Sequence, residues 1–193
     1  MKRFGIVILS LILLSFYKAD NLKSTNIFIS NNSVLSIYGT TNVNSFSCDL
    51  NMSEIASEIE ADYQIEPNKY RFNQTILNLD NSCFDCGNKM MNKDFQKLLN
   101  SEYYPRIILE LKEITLHPKR DDIVLAYIQL KIAGCSQLFS IPLTVKKDNG
   151  YQINGCMNLK LSDFNLEAPS KALGLIVVSD EIDIIFDLHL KLK

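Results

Sequence analysis

Hydrophobic and polar residues alternate along most of this chain. From Ile182 onward, Ile182, Ile184, Phe186, Leu188, Leu190 and Leu192 fall on one face, while Asp183, Asp187, His189, Lys191 and Lys193 fall on the other. That period of two belongs to a half-buried strand. The same rule places Tyr151, Ile153, Gly155, Met157, Leu159 and Leu161 together, then Val124, Ala126, Ile128, Leu130 and Ile132, then Phe139, Ile141, Leu143 and Val145, and then Ile107, Leu109 and Leu111. Earlier, Ile59, Ala61, Tyr63 and Ile65 alternate with acidic and amide residues, and Phe46, Cys48 and Leu50 alternate with Ser45, Ser47 and Asp49. The pattern predicts about eight strands, near 33–39, 44–52, 57–65, 69–79, 106–116, 123–133, 138–147 and 151–161, plus a long final strand over 180–193.

Turn residues separate these runs. Asp148-Asn149-Gly150 is a hairpin signal because Asn and Gly tolerate positive φ, and Glu66-Pro67-Asn68 and residues 117–122 are further connections. Short links suit antiparallel pairing. Only residues 88–100 keep a helical period, with Met91, Phe95, Leu98 and Leu99 on one side. The expectation is an all-β fold, an antiparallel barrel or sandwich with one short helix capping an open end. No repeat or composition break divides the chain, so one domain is expected over residues 20–193.

The N-terminus breaks the pattern. Lys2 and Arg3 precede a thirteen-residue apolar run, Phe4 to Phe16, followed by Tyr17-Lys18-Ala19. Thirteen residues are too few to span a bilayer, whereas a cationic start, a short apolar core and a small residue at 19 make a secretory signal peptide over residues 1–19. A periplasmic or secreted location follows as an expectation. The first cysteine is Cys48, so the expected mature N-terminus has no residue for a lipid anchor. Removal of Lys2, Arg3 and Lys18 leaves 17 basic residues against all 22 acidic ones. With that balance and no basic tract, nucleic acid is excluded as an expected partner.

Export changes how the five cysteines read, since disulfides persist outside the cytosol. Two bridges among Cys48, Cys83, Cys86, Cys135 and Cys156 can be drawn in 15 ways, and one thiol is left over. Cys83-Phe84-Asp85-Cys86 has dithiol spacing ahead of the helical stretch, which would favour a thiolate at Cys86 and makes a thiol–disulfide protein the alternative reading. No βαβ unit surrounds the pair, as a thioredoxin-like site would require. Cys135 and Cys156 are too far apart in sequence for a zinc ligand pair, so no metal is expected. His117 lies in a turn and His189 on the polar face of the last strand, with no nucleophile setting beside either, and no glycine-rich phosphate loop occurs. No catalytic residues are assigned and no enzyme is expected.

Particular residues carry a resemblance beyond periodicity. Ser36-Ile37-Tyr38-Gly39-Thr40-Thr41-Asn42-Val43-Asn44-Ser45-Phe46-Ser47-Cys48, then Met90 before a helix ending in Leu98-Leu99, then Tyr104-Pro105-Arg106-Ile107, resemble the YceI-like family. Ile132-Ala133-Gly134, Ile141-Pro142-Leu143, Asn154-Gly155, residues 161–166, Pro169 and the final strand follow in that family's order, so the resemblance spans about residues 33–192. The Thr-Asn-Val-Asn-Ser-Phe-Ser-Cys form is similar to a Bacteroidetes-type branch. The resemblance implies a lipocalin-like antiparallel barrel, exported, that holds a long polyisoprenoid or other lipid-like chain inside. It implies no required cofactor, with an isoprenoid quinone or lipid as the bound molecule, an apolar small-molecule partner, and transient contact with a membrane surface. It leaves the oligomeric state open.

A barrel of about eight strands is just wide enough to be filled by side chains or to hold one slim ligand. The inward residues Ile107, Leu109, Leu111, Ala126, Ile128, Leu130, Ile141, Met157 and Phe164 are the expected lining, with Ala126 and Gly155 leaving room. A close-packed barrel without ligand is the competing expectation. Cys48, on the dry face of its strand, is expected to pair with Cys86, which introduces the helix, so that the bridge staples cap to wall.

Overall fold

In the computed structural model the alternating rows become ladder partners. It describes residues 22–55, 58–171 and 175–193; the expected signal segment, 1–19, lies outside them. In chain order the elements are β1 (Leu22–Ile29), β2 (Val34–Thr41), β3 (Ser45–Leu50), β4 (Glu58–Glu66), β5 (Lys69–Asp80), β6 (Phe84–Asp85), α1 (Lys89–Leu98), β7 (Arg106–Leu116), β8 (Ile123–Ile132), β9 (Cys135–Lys147), β10 (Tyr151–Lys160), β11 (Ser170–Lys171) and β12 (Ile176–Leu192). Every pairing among them is antiparallel.

Eight strands close a ring in the order β1-β4-β5-β7-β8-β9-β10-β12 and back to β1. The membership differs from the sequence expectation. β1 was not anticipated, because LKSTNIFI carries little alternation, yet it pairs with β4 on one side and with Leu190–Leu192 of β12 on the other. The runs expected at 33–39 and 44–52 form β2 and β3. With β6 they make a leaf that branches from β12 over Val178–Asp187, beyond the reach of β1.

Interruptions in the alternation mark the bends of the wall. In β7 the register shifts between Leu111 and Glu113, so the inward row runs Ile107, Leu109, Leu111 and then Ile114. An extra residue in one strand turns all later side chains over, which is the geometry of a β-bulge. In β5 a shift between Arg71 and Thr75 surrounds Gln74, whose φ is 56°. β9 and β10 pair only from Leu143 and Gly155 toward their shared hairpin, so the wall splits below Pro142. The 3-10 turn Leu161–Phe164 folds back into that split, where Phe164 stacks on Phe139 at 6.2 Å and is 1% exposed. Gln137 Nε2 donates to the Asp163 carbonyl at 2.6 Å and holds the turn against β9.

The two ends of the barrel differ. The β4–β5, β7–β8 and β9–β10 turns share one end, and the β2–β3 and β8–β9 turns, residues 161–169 and α1 share the other. Asn88 caps α1 by accepting the Met91 N–H at 2.9 Å, a favoured N-cap arrangement. The helix turns Met91, Phe95 and Leu98 inward, with the Phe95 ring 5.3 Å from Phe84.

Candidate functional site

Inside the barrel is a cavity of about 580 Å³ that reaches from the helix end to the opposite end. Each of the nine expected lining residues faces it: Ile107, Leu109 and Leu111 from β7, Ala126, Ile128 and Leu130 from β8, Ile141 from β9, Met157 from β10, and Phe164 from the turn after β10. Strand alternation puts the first eight there, and Phe164 arrives because its turn plugs the β9–β10 split. Ala126, 2% exposed, is the small residue toward the far end of this wall, opposite Ile114 on β7 and Ile141 on β9.

Other lining residues were not assigned to the site from sequence. The β12 row, Ile182, Ile184, Phe186, Leu188 and Leu190, was read as a dry face and forms a full side of the cavity. Ile114 was missed because the bulge hides its phase. Gly155 does the opposite of what was expected. The Phe186 ring and the Leu143 side chain occupy the space beside it, so its missing side chain is filled by neighbours and leaves no room for a ligand.

The chemistry of the lining is graded. The far end is apolar, formed by Ile114, Ile153, Leu188 and Leu190, whereas Thr41, Asn44, Ser45 and Asp94 line the helix end. Thr41 Oγ1 lies 2.7 Å from Asn44 Oδ1 and also accepts the Asn44 N–H, tying the β2–β3 turn. Asp94, Leu98, Phe164, Leu166 and Pro169 line both the cavity and an open polar groove, so interior and groove meet along one seam between α1 and the 161–169 segment.

The cysteines at this end are sorted by geometry. Cys48 and Cys86 form a disulfide, 38 residues apart in sequence, and both face the cavity. The bridge joins β3 to the entry of α1. Cys83 and Cys86 are not joined to each other: Cys83 is a buried free thiol whose Sγ donates to Glu54 Oε2 at 3.6 Å. Burial first, and then the hydrogen bond and negative charge of Glu54, push its thiol pKa up. That is the reverse of the depressed thiol of a dithiol redox centre. Cys135 and Cys156 are free, the latter exposed on the outer wall.

Elsewhere, His117 Nδ1 accepts the Lys119 N–H at 3.2 Å within its turn, and His189 Nε2 lies 3.6 Å from Asp187 on β12. Neither faces the cavity. Among the described residues no three His, Cys, Asp or Glu side chains are grouped as metal ligands, and no helix is long and apolar enough to cross a membrane.

This architecture is that of the YceI-type, lipocalin-like barrel. Burkholderia cenocepacia BcnA superposes with a TM-score of 0.62 at 21% identity, covering 81% of this chain and 94% of that one. A polyisoprenoid binding domain from Saccharophagus degradans, implicated in plant cell wall breakdown, gives 0.63 at 13% identity, covering 89% and 100%. The Campylobacter jejuni YceI protein gives 0.51 at 16% identity, covering 69% and 80%. No family model matches the chain, and no curated protein matches its sequence.

Proposed function

We propose that this chain is an exported, YceI-like binding protein that holds one long apolar chain, a polyisoprenoid or similar lipid, inside its barrel. The observation that carries the reading is the continuous apolar cavity of about 580 Å³, within the range of about 300–1,000 Å³ typical of small-molecule sites. At roughly 30 Å³ per water-sized group, it has room for about twenty carbons. Transfer of each buried CH₂ contributes about 0.8 kcal/mol, so a few isoprene units support tight binding without a charged anchor. The fold shared with a polyisoprenoid binding domain supports the same ligand class. Export rests on the cationic and apolar pattern of residues 1–19, and N-terminal sequencing of the secreted chain tests it. Exposed Val43 and Leu175, at the helix end, suit brief contact with a membrane surface during loading.

The test is displacement of a fluorescent apolar probe by isoprenoid quinones. Saturable displacement at one site per chain is expected. A protein that takes up no probe contradicts the reading and leaves a barrel without ligand.

A further inference from the structure

We infer that residues 161–168 form a side flap on the barrel and that the ligand passes through the wall beneath it; this rests on the apolar-chain reading above and adds the route in. The wall is one side chain thick here. Phe164 lines the cavity from within and, with Leu166 and Pro169, also lines the polar groove outside, so lifting that ring joins the two.

The segment is fastened to the sheet only at its ends. Lys160 pairs with Glu181 of β12 in the ladder, and the Pro169 carbonyl accepts the Val178 N–H at 3.1 Å. Between these points the backbone–backbone hydrogen bonds are internal, from Asn165 N–H to the Ser162 carbonyl and from Leu166 N–H to the Leu161 carbonyl. Among the described residues no backbone hydrogen bond joins this stretch to β9, whose pairing with β10 stops at Leu143. Side chains close the gap instead. Gln137 Nε2 donates to the Asp163 carbonyl at 2.6 Å, and Asp180 accepts the Ser162 N–H at 2.8 Å and its hydroxyl at 2.6 Å. A ladder strand leaves a sheet by breaking a run of bonds together, whereas a turn held by a few polar ties and one buried ring opens as a local event. Gln137 and Asp180 do not line the cavity. A latch outside the lining sets how often the flap opens without altering the bound state, so entry and release change together.

The experiment is stopped-flow binding of N-phenyl-1-naphthylamine, an uncharged apolar probe, to the intact disulfide-bonded protein and to Gln137→Ala, Asp180→Ala and Asn42→Ala. Asn42 braces the β2–β3 turn to Leu175 and Val177 on the other side of the mouth, so its variant is the control. In each flap variant the association and dissociation rates are expected to rise together by roughly twofold to tenfold, the size of one hydrogen bond's net contribution, with Kd changed by less than about twofold. Asn42→Ala should keep wild-type rates. Hydrogen exchange of wild type needs no variant: amides 162–166 should exchange faster than those of 156–160. Unchanged rates in both flap variants, a weaker Kd with unchanged association, faster exchange of probe in Asn42→Ala, or equal protection of the two amide sets overturns the flap while leaving the apolar-chain reading intact. Failure of wild type to take up the probe overturns the binding reading itself, and this inference with it.

Discussion

Replacing Ala126 by Trp separates an open barrel from a filled one. Ala126 is 2% exposed and faces the cavity toward its far end, between Ile114 and Ile141. An indole there projects into the cavity of about 580 Å³ and takes up the space at its far end, where the tip of a lengthwise chain would lie. If it displaces one isoprene unit, five carbons at about 0.8 kcal/mol each remove about 4 kcal/mol of ligand transfer energy. At 1.4 kcal/mol per factor of ten, this is a loss of about a thousandfold, and the expected floor is a hundredfold if the tail folds around the ring. Stability should change little, because the ring enters empty space. In a close-packed core the same change overpacks and costs about 1–3 kcal/mol or more, a fall of roughly 2–4 °C in Tm per kcal/mol for a domain of this size. The chain has no Trp among its eight Tyr and ten Phe, so the substitution also installs a single tryptophan whose emission should be blue-shifted and should respond to ligand. Gln129→Trp is the control, since Gln129 lies on the outward face of the same strand beside Glu110 and Leu138. Probe displacement and thermal unfolding of the three proteins decide the matter. Equal affinity for Ala126→Trp and Gln129→Trp, or a steep loss of stability in Ala126→Trp alone, refutes the cavity argument.

Removing the bridge with Cys48→Ser and Cys86→Ser should cost about 3–4 kcal/mol on the chain-entropy account of a 38-residue loop, read as a lower Tm, and non-reducing peptide mapping should recover Cys48 joined to Cys86 and not Cys83 to Cys86. Iodoacetamide at neutral pH should modify exposed Cys156 well before Cys83, which is buried against Glu54; mass spectrometry of timed samples reads the order, and equal rates contradict the burial of Cys83. Asn81 is 2% exposed and its amide donates to Ser101 Oγ at 2.8 Å and to the Tyr104 carbonyl at 2.9 Å, so Asn81→Ala should destabilise by about 2–3 kcal/mol in urea unfolding by freeing the link before β7. Glu113 is held below the ordinary carboxylate range, chiefly by its hydrogen bond from Lys69 at 3.0 Å. A depressed folded-state value stabilises above the unfolded value and is lost as pH falls through the folded one, so the stability gap between wild type and Lys69→Met should be level near neutral pH and close in acid.

The legible parts of the fold were those where a local rule coincided with the global one. β8, β10 and the first half of β7 alternate without interruption, and their inward residues could be named from the period alone. Helix α1 was legible through Met91, Phe95 and Leu98, and its Asn88 cap sits at the boundary. What escaped were features set by partners distant in sequence. β1 has a weak pattern because it borrows its place from β4 and β12, and the leaf of β2, β3 and β6 looks in sequence like two ordinary barrel strands. Ile114 was hidden by a bulge, which shifts the phase without any proline or glycine to announce it. Gly155 illustrates the converse: a small residue in a strand signals room only if nothing across the sheet fills it, and here Phe186 does. The seam between α1 and the 161–169 segment brings Asp94 together with Leu166 and Pro169, more than seventy positions away, which no spacing rule brings together.

The most direct measurement is mass spectrometry of the intact protein, purified without added lipid, under native and then denaturing conditions, with the released material analysed after organic extraction. The account predicts one molecule per chain of a long apolar lipid, absent from Ala126→Trp prepared in parallel. A protein that carries nothing, and that also takes up no apolar probe, would contradict it.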